Sequence, residues 1–347
     1  MPHARRMAAI VCFLGFLLLG SVGIALSQEK PVVVNLMIDA DITPSPTHEQ
    51  LLTADFSLRN LTTPADSSGS NLTIFVSGNI AAEDRLGVTS QGNRPNHELA
   101  MHGNVLNEKL SSMPYDAQLA ALTGANGSLS ICYVCGQAHR EIKGFMPQTF
   151  DQNNDTLKAL EQLGFVYDAG FQKGLIYRAG HENDTWPYPI EGYNLTAVPV
   201  STFTLSGERL YLDDEYIKDV KKFSSSQWYD LLTKKFDESA KNGDPMVVVF
   251  SNLVSGTGDY LDAYTKFLNY ATSKGATFVT TMQLVEMAAA KGAKLPSVQP
   301  SNASKVTFCP SCAAEAKTEK PIINISVKKN QSCSTCGQNK TNSTKKS

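Results

Sequence analysis

Arginine is absent from the C-terminal segment 296–347, and its one aromatic, Phe308, is not interleaved with its lysines. Lys305, Lys317, Lys320, Lys328, Lys329, Lys340, Lys345 and Lys346 meet only Glu315 and Glu319 there. Without guanidinium forks or stacking faces, nucleic-acid binding is a poor explanation for this basic tail; contact with an acidic surface polymer, or plain solvation, suits it better. The net charge of −2 therefore hides an acidic body over 28–295 and a basic end. Long apolar runs are also missing, apart from Met7 to Leu26. Arg5-Arg6 precede that run and Ala25-Leu26-Ser27 offer small residues for a signal peptidase, so residues 1–27 read as a secretory signal. The run is just long enough to span a bilayer, so an uncleaved anchor is the other reading and the only route to a membrane. Either way, the expected location is secreted or cell-surface.

Eleven Asn-x-Ser/Thr sequons, from Asn60 to Asn342, agree with export, since such acceptors belong on surface loops of secreted proteins. Cysteine is sparse and paired. Cys12 falls within the signal, and the other six form CxxC pairs at Cys132/Cys135, Cys309/Cys312 and Cys333/Cys336. The two tail pairs have the spacing of a zinc ribbon. In an oxidising compartment the same thiols would close two disulfides across a segment too poor in apolar residues for its own core. Both readings stay open at this point. Cys132-Tyr133-Val134-Cys135 lacks a thioredoxin context and reads as a local bridge.

What is present is a body of short, continuous apolar runs alternating with helical patterns. Strands are expected at 32–38, 72–76, 98–101, 129–134, 163–167, 246–250 and 276–280, and helices at 113–122, 155–163, 226–241, 259–274 and 281–291. Ser112 is expected to cap the first of these helices. Continuous strands, each followed by a helix, imply parallel strands covered by helices, hence a barrel or barrel-like α/β body over 28–295. The first strand, Val32 to Ile38, ends in Asp39-Ala40-Asp41. Acids at the C-terminal end of a buried strand are where α/β folds build sites. Between Gln172 and Lys222 the rhythm breaks, and Trp186, Tyr188 and Tyr193 on a Pro-rich loop could either stack on sugar rings or roof the core.

The pieces Leu36-Met37-Ile38-Asp39-Ala40-Asp41, Asn96-His97-Glu98-Leu99-Ala100-Met101-His102-Gly103, Gly144-Phe145, Asp155-Thr156-Leu157, Leu163-Gly164-Phe165 and Tyr167-Asp168, in this order, resemble the polysaccharide deacetylase (NodB-homology, carbohydrate esterase 4-like) family. The resemblance covers most of 30–292. It implies a deformed (β/α) barrel and metal-dependent removal of acetyl groups from N-acetylated sugars of a cell-surface polysaccharide. It implies further that Asp39 is the general base and that Asp41 and His102 ligate a divalent metal, zinc in most of the family. His97, an odd number of residues before His102 on a strand, faces the other way and reads as structural. Three family positions are changed. Leu106 stands where a second metal histidine belongs, Met146 where an arginine orients the base, and Asn252 where a histidine protonates the leaving amine. A third metal donor could come from Asn104, Asn252, Asp39 itself, or His48, His139 or His181. Two functions are therefore expected to compete: an extracellular N-deacetylase with an altered site, and a catalytically inactive relative that binds surface glycans.

Overall fold

The computed structural model describes residues 31–130 and 141–295. The signal segment, Cys132, Cys135 and His139, and the tail with Cys309, Cys312, Cys333 and Cys336 lie outside the described residues.

Eleven strands are found among the described residues: β1 (Val33–Ala40), β2 (Leu72–Val76), β3 (His97–Met101), β4 (Gly144–Phe145), β5 (Tyr167–Gln172), β6 (Tyr188–Pro189), β7 (Thr196–Val200), β8 (Thr202–Leu205), β9 (Glu208–Tyr211), β10 (Met246–Ser251) and β11 (Thr277–Val279). The main sheet runs β10-β1-β2-β3-β4-β5-β7-β6; every pairing along it is parallel except β6 with β7, and β11 lies beside the start of β1. Between β7 and β10 the chain closes on itself. Leu212 N–H donates to the Ser201 carbonyl, Val249 N–H to the Leu212 carbonyl and Ser201 N–H to the Val247 carbonyl, at 2.9, 2.9 and 3.0 Å. A parallel bridge of Asp213 with Val249 completes the seam. The result is the deformed (β/α) barrel expected from the alternating pattern.

Period-two alternation sorts each strand into two faces. On β1, Val34, Leu36, Ile38 and Ala40 face the helical layer, while Met37 belongs to an inner cluster with Phe75, Ala100, Tyr167, Val247 and Val249. Asn35 and Asp39 share the parity of Met37. Asn35 lies at the base of the barrel, bonded to the Val279 carbonyl and the Thr281 hydroxyl, and Asp39 at its top. The same rule turns His102 inward with Glu98 and Ala100 and turns His97 outward, where it meets Asp66 at 2.8 Å as the odd spacing requires.

Helices α1 (His48–Ser67), α2 (Gly78–Glu83), α3 (Arg85–Gly92), α4 (Tyr115–Ser130), α5 (Asn154–Gln162), α6 (Ser225–Asn242), α7 (Gly258–Ser273) and α8 (Thr281–Ala290) occupy the connections. Capping boxes begin α1 (Thr47 with Gln50), α6 (Ser224 with Gln227) and α8 (Thr280 with Gln283). Gly243, at φ 72°, ends α6 in the left-handed conformation that a side chain disfavours. Helix α8 stoppers the bottom of the barrel, its first N–H groups meeting Thr73 Oγ1 and Glu98 Oε2 at 2.7 and 2.9 Å. Among the described residues no helix is long and apolar enough to cross a membrane.

Three local expectations fail. Leu129 and Ser130 are helical, because Leu122, Ala125 and Leu129 recur at helical spacing along one buried face of α4; the rest of the expected strand 129–134 lies outside the described residues. Ser112 does not cap α4; its hydroxyl turns back to the Lys109 carbonyl, and the helix starts after Pro114. Leu163-Gly164-Phe165 is the exit of α5, with Gly164 at φ 76°, so β5 begins only at Tyr167.

Candidate active site

At the C-terminal end of the barrel strands, β1 and β3 bring together the two acids and the histidine. His102 Nε2 is 3.5 Å from Asp39 Oδ2 and 3.4 Å from Asp41 Oδ2. His102 Nδ1 lies 3.0 Å from the Met146 carbonyl, an acceptor only, so Nδ1 carries the proton and Nε2 is presented to the carboxylates. An imidazole nitrogen turned towards two carboxylate oxygens is a nitrogen-and-oxygen donor set that suits a divalent cation. Ligands about 2.1 Å from a tetrahedral ion stand about 3.4 Å apart, which is the spacing of both edges here.

The donor chemistry and two edges fit a divalent ion, but the set is not closed. Among the described residues no group of three or more His, Cys, Asp or Glu side chains stands as a ready-made metal cradle. The possible third donors divide clearly. Asn252 is spent on Asp41: its Oδ1 accepts from Asp41 N–H at 2.9 Å and its Nδ2 donates to the Asp41 carbonyl at 3.1 Å. His48 is exposed at the start of α1, and His181 is held by Asp184 at 2.6 Å and stacked on Tyr188. Asn104 Oδ1 points at Gly78. Of the candidates among the described residues, Asp39 itself is the donor that geometry leaves, through Oδ2, while its buried Oδ1 has no hydrogen-bond partner.

Gln148 ties the loops together. Its Nε2 donates to Asp41 Oδ1 at 2.9 Å and to the His102 carbonyl at 3.0 Å, and its Oε1 accepts from Asn107 N–H at 3.1 Å. Gly103, at φ 66°, lets this loop turn back so that Glu108 Oε2 accepts from Asn104 N–H at 2.9 Å. A side chain on Gly103 would run into that same carboxylate, 2.8 Å from its first carbon.

The closing strand segment delivers acids that the linear motifs did not point to. Asp214 accepts from Ser251 N–H with both oxygens at 3.0 Å, and Glu215 Oε1 accepts from Ser251 Oγ at 2.7 Å. Burial, and then the charges of Asp213, Asp41, Glu215 and Asp214, hold the Asp39 carboxyl well above the usual range. Burial and Glu215 lift Asp213 to about 7, and burial and Asp213 raise Asp214 well above its ordinary value. Glu215 is raised by burial and by Asp41, against the pull of Ser251 and His102. The signal for these residues was the run Asp213-Asp214-Glu215, but without the Asp213–Val249 bridge nothing linked it to Asp39.

The aromatic loop goes elsewhere. Thr185 bonds Asp244, which precedes β10, at 2.9 Å, so this loop lies at the N-terminal end of the strands, opposite Asp39. Trp186 packs on the inner cluster and its ring is covered by Lys291 Nζ at 3.5 Å. Tyr188 is buried against Phe171 and His181, and Tyr193 reaches the Asn154 carbonyl at 3.3 Å. Of the two readings open for Trp186, Tyr188 and Tyr193, these contacts are those of rings packed on the barrel. The side chains of Met146 and Leu106 offer no polar group; that of Met146 is buried in the inner cluster.

No family model matches the sequence, and no curated protein matches it. Solved structures do. A protein assigned as a polysaccharide deacetylase from Mycobacterium smegmatis superposes with TM-score 0.57 at 19% identity, covering 78% of this chain and 94% of its own. One so assigned from Pseudomonas aeruginosa PAO1 gives 0.57 at 15% identity over 75% and 91%. A PuuE allantoinase gives 0.56 at 14% identity over 75% and 90%. At these identities the likeness is one of backbone architecture, in agreement with the motif resemblance. The chain has the polysaccharide deacetylase fold.

Proposed function

We propose that this protein is an extracellular carbohydrate N-deacetylase that hydrolyses the acetamide of N-acetylated sugars in a surface polysaccharide. The observation that carries the reading is the convergence of Asp39 and Asp41 on His102 Nε2, beside an Asp39 Oδ1 that has no other partner. A divalent ion held by Asp41 and His102, with Asp39 at its edge, would polarise the amide carbonyl and acidify water. Asp39 Oδ1, which has no hydrogen-bond partner, is the free acceptor for a proton from that water. Gln148 and Asn252 hold Asp41 from its side chain and its backbone. Asn252 cannot give a proton to the departing amine. Glu215, which binds its proton more tightly than an ordinary glutamate and is fixed by Ser251, is the carboxyl available for that step.

Export rests on the signal-like residues 1–27 and the sequons, and the tail cysteines are read as disulfides or a zinc ribbon on their spacing alone. A second reading, an inactive glycan-binding relative, is favoured by one observation: both polar ends of Asn252 are consumed by the Asp41 backbone, leaving no nitrogen base at that strand end.

Residues 28–347, incubated with zinc or cobalt and N-acetylated oligosaccharides, should release acetate, and Asp39→Asn should abolish the release. No acetate with any divalent metal, together with no metal retained on elemental analysis, rules out the enzyme and leaves glycan binding.

A further inference from the structure

Six of the eleven sequons fall among the described residues, at Asn60, Asn71, Asn126, Asn154, Asn183 and Asn194. Four of these asparagines have their side-chain amide engaged. Asn60 Nδ2 donates to the Gly256 carbonyl and Asn71 Nδ2 to Gln283 Oε1, both at 3.0 Å. Asn126 Oδ1 accepts from Ser130 Oγ and Asn154 Oδ1 from Arg178 Nη1, both at 3.2 Å. Asn183 and Asn194 differ. Both side chains are exposed, and neither amide is bonded to any of the described residues. Their places in the fold agree. Asn183 lies on the loop that Thr185 ties to Asp244, and Asn194, just before β7, donates its N–H to Glu161 in the last turn of α5 at 2.7 Å. Both stand at the N-terminal end of the strands, opposite Asp39. The hydroxyls of the two sequons turn the other way: Thr185 Oγ1 donates to Asp244 Oδ1 at 2.9 Å, and Thr196 is fully buried in β7.

We propose that Asn183 and Asn194 carry N-linked oligosaccharides, and that the one at Asn194 is added before β7 enters the sheet. The inference rests on the export reading, which brings the chain to a transferase, and not on the deacetylase reading. In the transfer, Asn Nδ2 bonds the anomeric carbon of a lipid-diphosphate-linked oligosaccharide. The bond from that carbon to the diphosphate oxygen breaks, the lipid diphosphate leaves, and the amide nitrogen gives one proton to a base of the transferase. An exposed, unbonded amide takes a bulky hydrated chain without losing a protein hydrogen bond. The acceptor is read as asparagine together with its hydroxyl residue, and Thr196 is out of reach once its strand is paired. Transfer at Asn194 therefore comes first and folding second. Two sugar chains at this end cover the barrel floor and leave the end that holds Asp39, Asp41 and His102 open to a polymer.

The test is chemical and separate from turnover. The full chain, secreted from insect cells, is treated with a glycan-releasing amidase in heavy-oxygen water, and its peptides are read by mass spectrometry. Asn183 and Asn194 should return as labelled aspartates in most chains, and Asn60 and Asn71, whose Nδ2 is spent, in few. Asn183→Gln and Asn194→Gln should each remove one step of gel mobility at an unchanged melting temperature, since neither side chain holds another. The folded chain made in bacteria, then given the transferase and a lipid-linked donor, should stay unmodified at Asn194. A secreted chain bare at Asn183 and Asn194, or labelled as heavily at Asn60 and Asn71, overturns the inference and leaves export standing. Modification of the folded bacterial chain at Asn194 overturns the order of transfer and folding. A chain kept inside the cell without sugar overturns export and the inference together, and none of these results touches acetate release.

Discussion

Asn252 brackets the backbone of Asp41, accepting from its N–H at 2.9 Å and donating to its carbonyl at 3.1 Å. A backbone segment just beyond the end of β1 has no ladder partner there, so a side-chain amide supplies the donor and acceptor that a neighbouring strand would have given. The position where the motif resemblance places a histidine is here a clamp on the backbone of Asp41.

Asn252→Ala should therefore destabilise the fold by about 2–3 kcal/mol, because it leaves two buried backbone groups unpaired. Urea unfolding measures this. A loss under about 0.5 kcal/mol would show that water replaces the amide.

Gln148→Leu removes the donor to Asp41 Oδ1 and the tie to the β3 loop. Under the metal-dependent reading, zinc affinity measured by calorimetry should fall 10- to 100-fold, the usual effect of losing a group that orients a ligand. An unchanged affinity would mean that Asp41 keeps its position without Gln148.

Asp168, fully buried on β5 with only Oδ1 bonded, to Gly170 N–H, is lifted by burial from 3.8 to about 7. A carboxyl whose folded-state value is raised binds more protons folded than unfolded, so stability falls as pH rises from about 4 through 7. The cost by pH 8 is on the order of 4 kcal/mol. Asp168→Asn should remove that slope and raise the melting temperature at pH 8 more than at pH 5, since an amide can donate towards the unpartnered Gln152 Oε1. Melting curves across this range that coincide for the two proteins would refute the assignment.

Trp186→Ala should leave oligosaccharide affinity unchanged and cost about 1–3 kcal/mol of stability, because the ring packs between Lys291 and the barrel floor. Weaker sugar binding without loss of stability would return this loop to the substrate.

The alternation of the strands was readable in the chain. Asp39 shares a face with Met37, His102 with Ala100, and His97 turns away, all by period two. Helical apolar spacing placed the helices expected at 226–241 and 281–291 within a residue of α6 (Ser225–Asn242) and α8 (Thr281–Ala290). Helix α1 was not readable, because a Thr- and Ser-rich stretch containing Pro64 carries a weak periodic signal. The short β4 was hidden too, since two residues cannot display a period.

The amino-acid sequence by itself determined that two acids stand at the end of an inward-facing strand and that one histidine shares their side of the barrel, because side-chain direction along a strand is a local property. Tertiary structure alone decided the rest. The Asp213–Val249 bridge carries Asp213, Asp214 and Glu215 to the acids, and the path of residues 181–195 carries Trp186 and Tyr188 to the opposite end. Which end of a barrel a loop reaches depends on hydrogen bonds between residues dozens of positions apart, and those energies have no signature in a local stretch of chain.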